Sequence, residues 1–191
     1  MHETKQRLIG VGLRLMLERG YNAVGIQELL HETGVPKGSF YHHFATKEEF
    51  ALQVIDAYQT NVHLLLDATL GDRSRPPLAR VRDFFEGVRE AYESEGYLGC
   101  FLGTLGQELS GASERFRQRI DACLGEIAGR IASSLEEARV AGDLPPTADP
   151  RAMAEVLVDS WEGAALRSRL VRARRPLDAI LDFYFATVTT R

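Results

Sequence analysis

Residues 33–50 read TGVPKGSFYHHFATKEEF, and this stretch sets the organisation of the chain. Lys37, Tyr41, His42, His43 and Lys47 crowd a segment that has little apolar surface to bury. It is either a solvated helix end or a surface made for a negatively charged partner. Two helix starts fall inside it. Pro36 suits a first helical position, where a missing N–H is no loss. Thr46 with Glu49 three residues on has the spacing of a capping box and opens a longer helix through about Thr69. Just upstream, IQELLHE (26–32) predicts a short helix entered at Gly25, a permissive cap, and Thr33-Gly34-Val35 is the break.

Apolar spacing extends the pattern in both directions. Leu8, Val11, Gly12, Leu15 and Met16 predict a first helix over 3–20, stopped at Gly20. After the loop GDRSRPP (71–77), Val81, Phe84, Phe85, Val88 and Tyr92 define a fifth helix that breaks near Gly96. A sixth is expected from near Gly99, carrying Cys100, Leu102, Leu105 and Leu109. A seventh follows from Phe116, Ile120, Cys123, Leu124, Ile127, Ile131 and Leu135, an eighth spans about Arg151–Arg172, and a ninth opens at Pro176. No segment alternates as a strand does. The expected fold is all-α: a three-helix N-terminal domain over 1–47 and a larger bundle over 48–191.

The 191 residues are 45% apolar and 26% charged, which is ordinary globular composition. No apolar run reaches the ~18 residues of a membrane span, and the N-terminus lacks the apolar core of a secretory signal, so the default expectation is cytoplasmic, without a membrane partner. Two cysteines make neither a disulfide framework nor a zinc site. The net charge of −4 argues against a surface that is basic throughout. Residues 1–47 nevertheless hold six basic side chains against four acidic ones, with all three lysines and four of the five histidines.

Short helix, glycine turn and short helix are the proportions of a helix-turn-helix, whose second helix enters the major groove. The residues sharpen this. ERGYNAVGIQELLHETGVPKGSFYHHFATKEEF (18–50) resembles the DNA-binding signature of the TetR/AcrR family of bacterial transcriptional regulators, closely over about residues 5–52. The resemblance implies a homodimer on a palindromic double-stranded DNA operator, released by a small-molecule inducer in the C-terminal bundle. It places Lys37, Ser39, Tyr41 and His42 on the exposed face of the recognition helix, Lys47 on a phosphate and Gln27 near the backbone. Phe40 and Phe44 become anchors and Tyr21 closes the same small core. The chain departs from the pattern at Gly25, where a hydroxyl residue is common, and at Leu30, where a small one is. Physically, the helix starts at 36–39 and 46–48 are two potential anion sites, with lysines to release counterions.

In the C-terminal part, GCFLGTLGQELS (99–110) and DSWEGAALRSRL (159–170) look like the subgroup of electrophile- and acrylate-responsive regulators. That likeness makes Cys100, Thr104, Gln107 and Trp161 candidates for the ligand or sensor site. Cys100, expected one or two residues inside a helix start, has three open readings: a thiolate that reacts with electrophiles, a pocket liner, or a small buried hydrophobe. Trp161 reads equally as pocket wall or core, and Cys123 as core. No lysine follows Lys47, which excludes trapping of an oxidised Cys100 by a lysine amine. Dimerisation is expected through the last two helices, with Gly163, Ala164, Ala179, Leu181 and Tyr184 at the interface. Two other function classes stay open to such a chain: a cysteine-dependent enzyme, for which His63 is the lone histidine in this part and has no catalytic context, and a helical protein-interaction module.

Overall fold

The computed structural model describes residues 2–188, and among them there are nine α-helices and no strand. The helices are α1 (His2–Arg19), α2 (Ile26–Thr33), α3 (Lys37–His43), α4 (Lys47–Leu70), α5 (Pro77–Ser94), α6 (Phe101–Leu109), α7 (Glu114–Ala141), α8 (Pro150–Val171) and α9 (Arg175–Val188). The number and order match the expectation from apolar spacing. Among these helices none is long and apolar enough to cross a membrane.

Two compact units emerge, Met1–Asn61 with Phe101–Asp121, and Val62–Cys100 with Ala122–Arg191. The first is larger than the expected 1–47 domain, because α6 and the start of α7 belong with the N-terminal helices. Apolar spacing assigns residues to faces but does not say which distant face they meet.

In the first unit, Leu8, Leu15 and Met16 of α1 are buried with Leu29 of α2, Phe40 of α3, Phe44 and Phe50. The rings of Phe40, Phe44 and Phe50 form a mutual cluster with centroids 4.9–5.4 Å apart. Leu102, Leu105 and Leu109 bury one face of α6, which lies against α1. Gly34 closes α2 in the left-handed region at φ 64, donating its N–H to the His31 carbonyl, a conformation that favours glycine. Pro36 is the N-cap of α3 at φ −61, ψ 144, one residue before the helical position expected for it. Its extended backbone lets the carbonyl accept from the Ser39 and Phe40 N–H groups.

In the second unit α8 packs against α9, and α5 also meets α9. Phe85, Tyr92, Leu157, Trp161, Leu177, Leu181 and Phe185 fill the interior. Asp149 caps α8, accepting from the Arg151 and Ala152 N–H groups. Arg80 is buried. Its guanidinium donates to the Leu70 carbonyl at the end of α4 and to Glu137 of α7, so the buried charge is compensated.

Candidate nucleic-acid interface and sensor region

Seven residues make α3, and burial divides them by face. Phe40 is fully buried, whereas Lys37, Gly38, Tyr41 and His42 are exposed and Ser39 is half-buried. Tyr41 stays 46% exposed while its ring meets that of Phe40 edge to face, so the core does not consume it. Lys37 places its ammonium 6.0 Å from the centre of the Tyr41 ring. Gln27 is exposed in the first turn of α2. Gly25 caps that helix without a side-chain hydrogen bond. His43 is half-buried, and partial burial followed by the nearby His42 and Lys5 holds its imidazole below the ordinary value. That direction sets it apart from a side chain made to hold a phosphate as a cation.

The start of α4 is closed by its own side chains. Thr46 Oγ1 accepts the Glu49 N–H at 3.0 Å, and Glu49 reaches back to the Ala45 N–H at 3.1 Å. These bonds take up the Ala45 and Glu49 N–H groups, and Glu48 and Glu49 add negative charge there. The cationic contribution at this point is Lys47 itself. Its ammonium donates to the Tyr21 carbonyl at 2.7 Å and lies 4.2 Å from the centre of the Tyr21 ring. Partial burial lowers its pKa, and Glu108 opposes that shift.

The expected sensor residues divide between the units. Thr104 is half-buried and Gln107 exposed, both on α6 in the first unit. Cys100 and Trp161 lie in the second unit, at 8% and 3% exposure. Cys100 immediately precedes α6 rather than lying inside it. Its segment is fastened to one face of α8. Arg169 donates to the Leu98 carbonyl at 3.0 Å, Gly99 sits where a Cβ would meet the Ala165 carbonyl at 3.4 Å, and Glu162 hydrogen-bonds Cys100. Residues 162, 165 and 169 fall on one helical stripe, which is why they meet three consecutive residues. Burial pushes the Glu162 carboxyl up to about 7, helped by Asp159 and opposed by the Cys100 hydrogen bond. Trp161 packs against Phe85, centroids 4.9 Å apart, and Tyr92, at 6.2 Å, so it is a core residue.

The expected dimer residues divide likewise. Gly163 and Ala179 are exposed, but Leu181 and Tyr184 are buried at 1% and 7%, and Ala164 at 9%. Leu181 and Tyr184 face the interior of their own chain, with the Tyr184 hydroxyl donating to the Met153 carbonyl at 3.2 Å. This corrects the interface set. The exposed apolar side chains on the two helices are instead Val156, Leu166, Leu170, Val171 and Phe183.

Glu108 and Glu162 were not anticipated. An acidic residue on an apolar helix is a faint signal, and the partners of Glu108 are 86 and 87 positions away in the chain.

A helix-turn-helix whose second helix is anchored by buried Phe40 and otherwise exposed agrees with comparisons to known proteins. A model described as bacterial regulatory proteins, tetR family, matches residues 8–54, and one described as tetracyclin repressor-like, C-terminal domain, matches residues 77–184. The transcriptional regulator AcuR of Cereibacter sphaeroides is 39% identical over 97% of this chain and 85% of its own. The HTH-type transcriptional repressor DhaR of Mycobacterium sp. (strain GP1) is 32% identical over 95% of this chain and 90% of its own. The crystal structure of reduced E. coli NemR aligns with a TM-score of 0.88 at 29% identity, covering 96% of this chain and 95% of that one. With both parts matched, the chain belongs to the TetR family of bacterial transcriptional regulators.

Proposed function

We propose that this regulator is a homodimeric repressor that binds a palindromic operator through α3 and leaves it when a small electrophile or acid engages the Cys100 region. The observation that carries the DNA reading is the division of α3: Phe40 seals the interior while Lys37, Tyr41 and His42 stand outside. Lys37 and Lys47 release counterions from phosphates, and Tyr41 and His42 reach base edges. The names of AcuR, DhaR and NemR, all regulators or repressors, support the same class. The exposed stripe of Gly163, Leu166 and Leu170 on α8, with Ala179 and Phe183 on α9, is the surface that a second copy covers. Two recognition helices then stand one DNA turn apart, roughly 34–36 Å.

Induction follows from differential affinity. A ligand that binds the released form more tightly shifts the pair of recognition helices away from groove spacing, through α4. Reaction at Cys100 is the form of sensing to test first, with Glu162, hydrogen-bonded to it, as the group that would take the thiol proton while the sulfur attacks. The test is selection of a palindrome from a randomised duplex library, followed by titration of that complex with acrylate and with N-ethylmaleimide. Release of wild type but not of Cys100→Ser supports covalent sensing. Equal release of both moves the ligand to a non-covalent site. Absence of any salt-sensitive duplex binding removes the operator reading.

A further inference from the structure

The turn between α1 and α2 is gripped on both sides. Its Tyr21 and Asn22 N–H groups donate to the two carboxylate oxygens of Glu108, at 2.8 and 2.7 Å. The carbonyl of the same Tyr21 accepts from Lys47 at 2.7 Å. One residue of backbone thus bridges a carboxylate on α6 to an ammonium at the start of α4. The side chain is pinned too, with its ring 5.3 Å from Phe116, edge to face, and 4.2 Å from the Lys47 ammonium. Gly20 is shaped to this contact. It sits at φ 84, and a Cβ there would fall 2.6 Å from a Glu108 oxygen. Only a glycine lets the carboxylate close on the turn.

We propose that Glu108 is a positioning residue for DNA binding, which fixes the Tyr21 carbonyl and through it aims the Lys47 ammonium at a phosphate. The inference rests on the operator-binding reading. A lysine head has three donors. The Tyr21 carbonyl takes one and the ring face attracts the charge, which leaves donors directed away from both for phosphate. A free lysine loses rotamer entropy on making that contact. The Tyr21 cradle removes much of that freedom in advance, and the cradle is only as fixed as the turn. Charge-assisted bonds from two consecutive N–H groups to one carboxylate are the strong way to fix it. Glu108→Gln keeps the shape but offers one acceptor and one donor to two N–H groups, so one bond is lost.

The experiment measures operator affinity across a salt series for wild type, Glu108→Gln, Lys47→Ala and the double variant. Glu108→Gln weakens binding by roughly tenfold and lowers the salt slope by about one, as expected for one lost phosphate contact. In the Lys47→Ala background the same change has no further effect, because Glu108 acts through Lys47. Effects that multiply, or an unchanged salt slope, overturn the proposal. A second readout needs no DNA. In Glu108→Gln the Tyr21 and Asn22 amides exchange faster, and the Lys47 ammonium, having lost the Glu108 charge that supports it, titrates at lower pH by NMR. Unchanged exchange at the Tyr21 and Asn22 amides overturns the positioning role even if wild type binds no duplex, an outcome that would separately remove the operator reading.

Discussion

His42 and His43 carry the same side chain on adjacent residues, with ring centres 5.3 Å apart, yet only His42 is exposed. His43 packs toward Phe44, at 6.1 Å, and partial burial holds its imidazole below the ordinary value. His42→Ala is therefore expected to relax base preference at one position by about 1–3 kcal/mol, whereas His43→Ala leaves the selected sequence unchanged. Library selection with each variant checks this. Glu162 makes a prediction in pH. Its carboxyl sits at about 7 in the fold against an ordinary 4.5, so the folded state holds the proton more tightly than the unfolded chain. Stability from this group is complete below about 4.5 and declines as pH rises toward 7. Glu162→Gln should match wild type at pH 4.5 and exceed it at pH 8 by on the order of 1–2 kcal/mol, as read by urea denaturation. The separation of the two histidines was legible in the sequence, because Phe40 and Phe44 already oriented α3. The Glu162 environment was not, since the segment around Cys100 meets α8 only in the fold.

The helices themselves were largely written in local signals. Asp149, Thr46, Gly20 and Gly34 mark starts and stops within a residue or two, because caps satisfy backbone groups that the helix leaves open. At α3 and α4 the difference between expectation and structure is a cap. Pro36 takes the N-cap of α3, since its carbonyl accepts from Ser39 and Phe40. Glu49 reaches Ala45 instead of the Thr46 N–H of an ideal capping box. Gly25 gives an element-scale prediction. It adopts φ −86, ψ 148, which any residue tolerates, and a Cβ there meets nothing within 4 Å. Gly25→Ser supplies the missing cap to α2 and should raise stability by a few tenths of a kcal/mol. The added hydroxyl at the head of α2 should also strengthen operator binding, measured alongside the thermal midpoint. Unchanged affinity with raised stability would confine Gly25 to folding.

For the molecule as a whole, the sequence showed apolar stripes on α8 and α9 but not which of them the chain keeps for itself. Leu181 and Tyr184 recur at the right spacing for a partner, yet they close the chain's own α8–α9 packing. What stays outside is Phe183, at 69% exposure, flanked by Ala179 and Ala186, and on α8 Leu166 and Leu170 around Gly163. A two-fold interface presents each of these twice, so one substitution strikes both copies. Burying a large apolar side chain contributes about 1.5–3 kcal/mol. Phe183→Asp forfeits that twice and leaves two carboxylates facing the same closed surface. It should yield a monomer by sedimentation with an unchanged helical spectrum. A monomer holds one half-site alone, so operator affinity should fall by about 10²-fold or more, the gain that linked sites otherwise provide. Tyr184→Phe separates the two roles. It removes a hydroxyl bonded inside the chain to Met153, and so should lower the unfolding free energy by about 1 kcal/mol while leaving the dimer and its operator binding intact. If Tyr184→Phe dissociates the dimer and Phe183→Asp does not, the interface lies on the other face of α9.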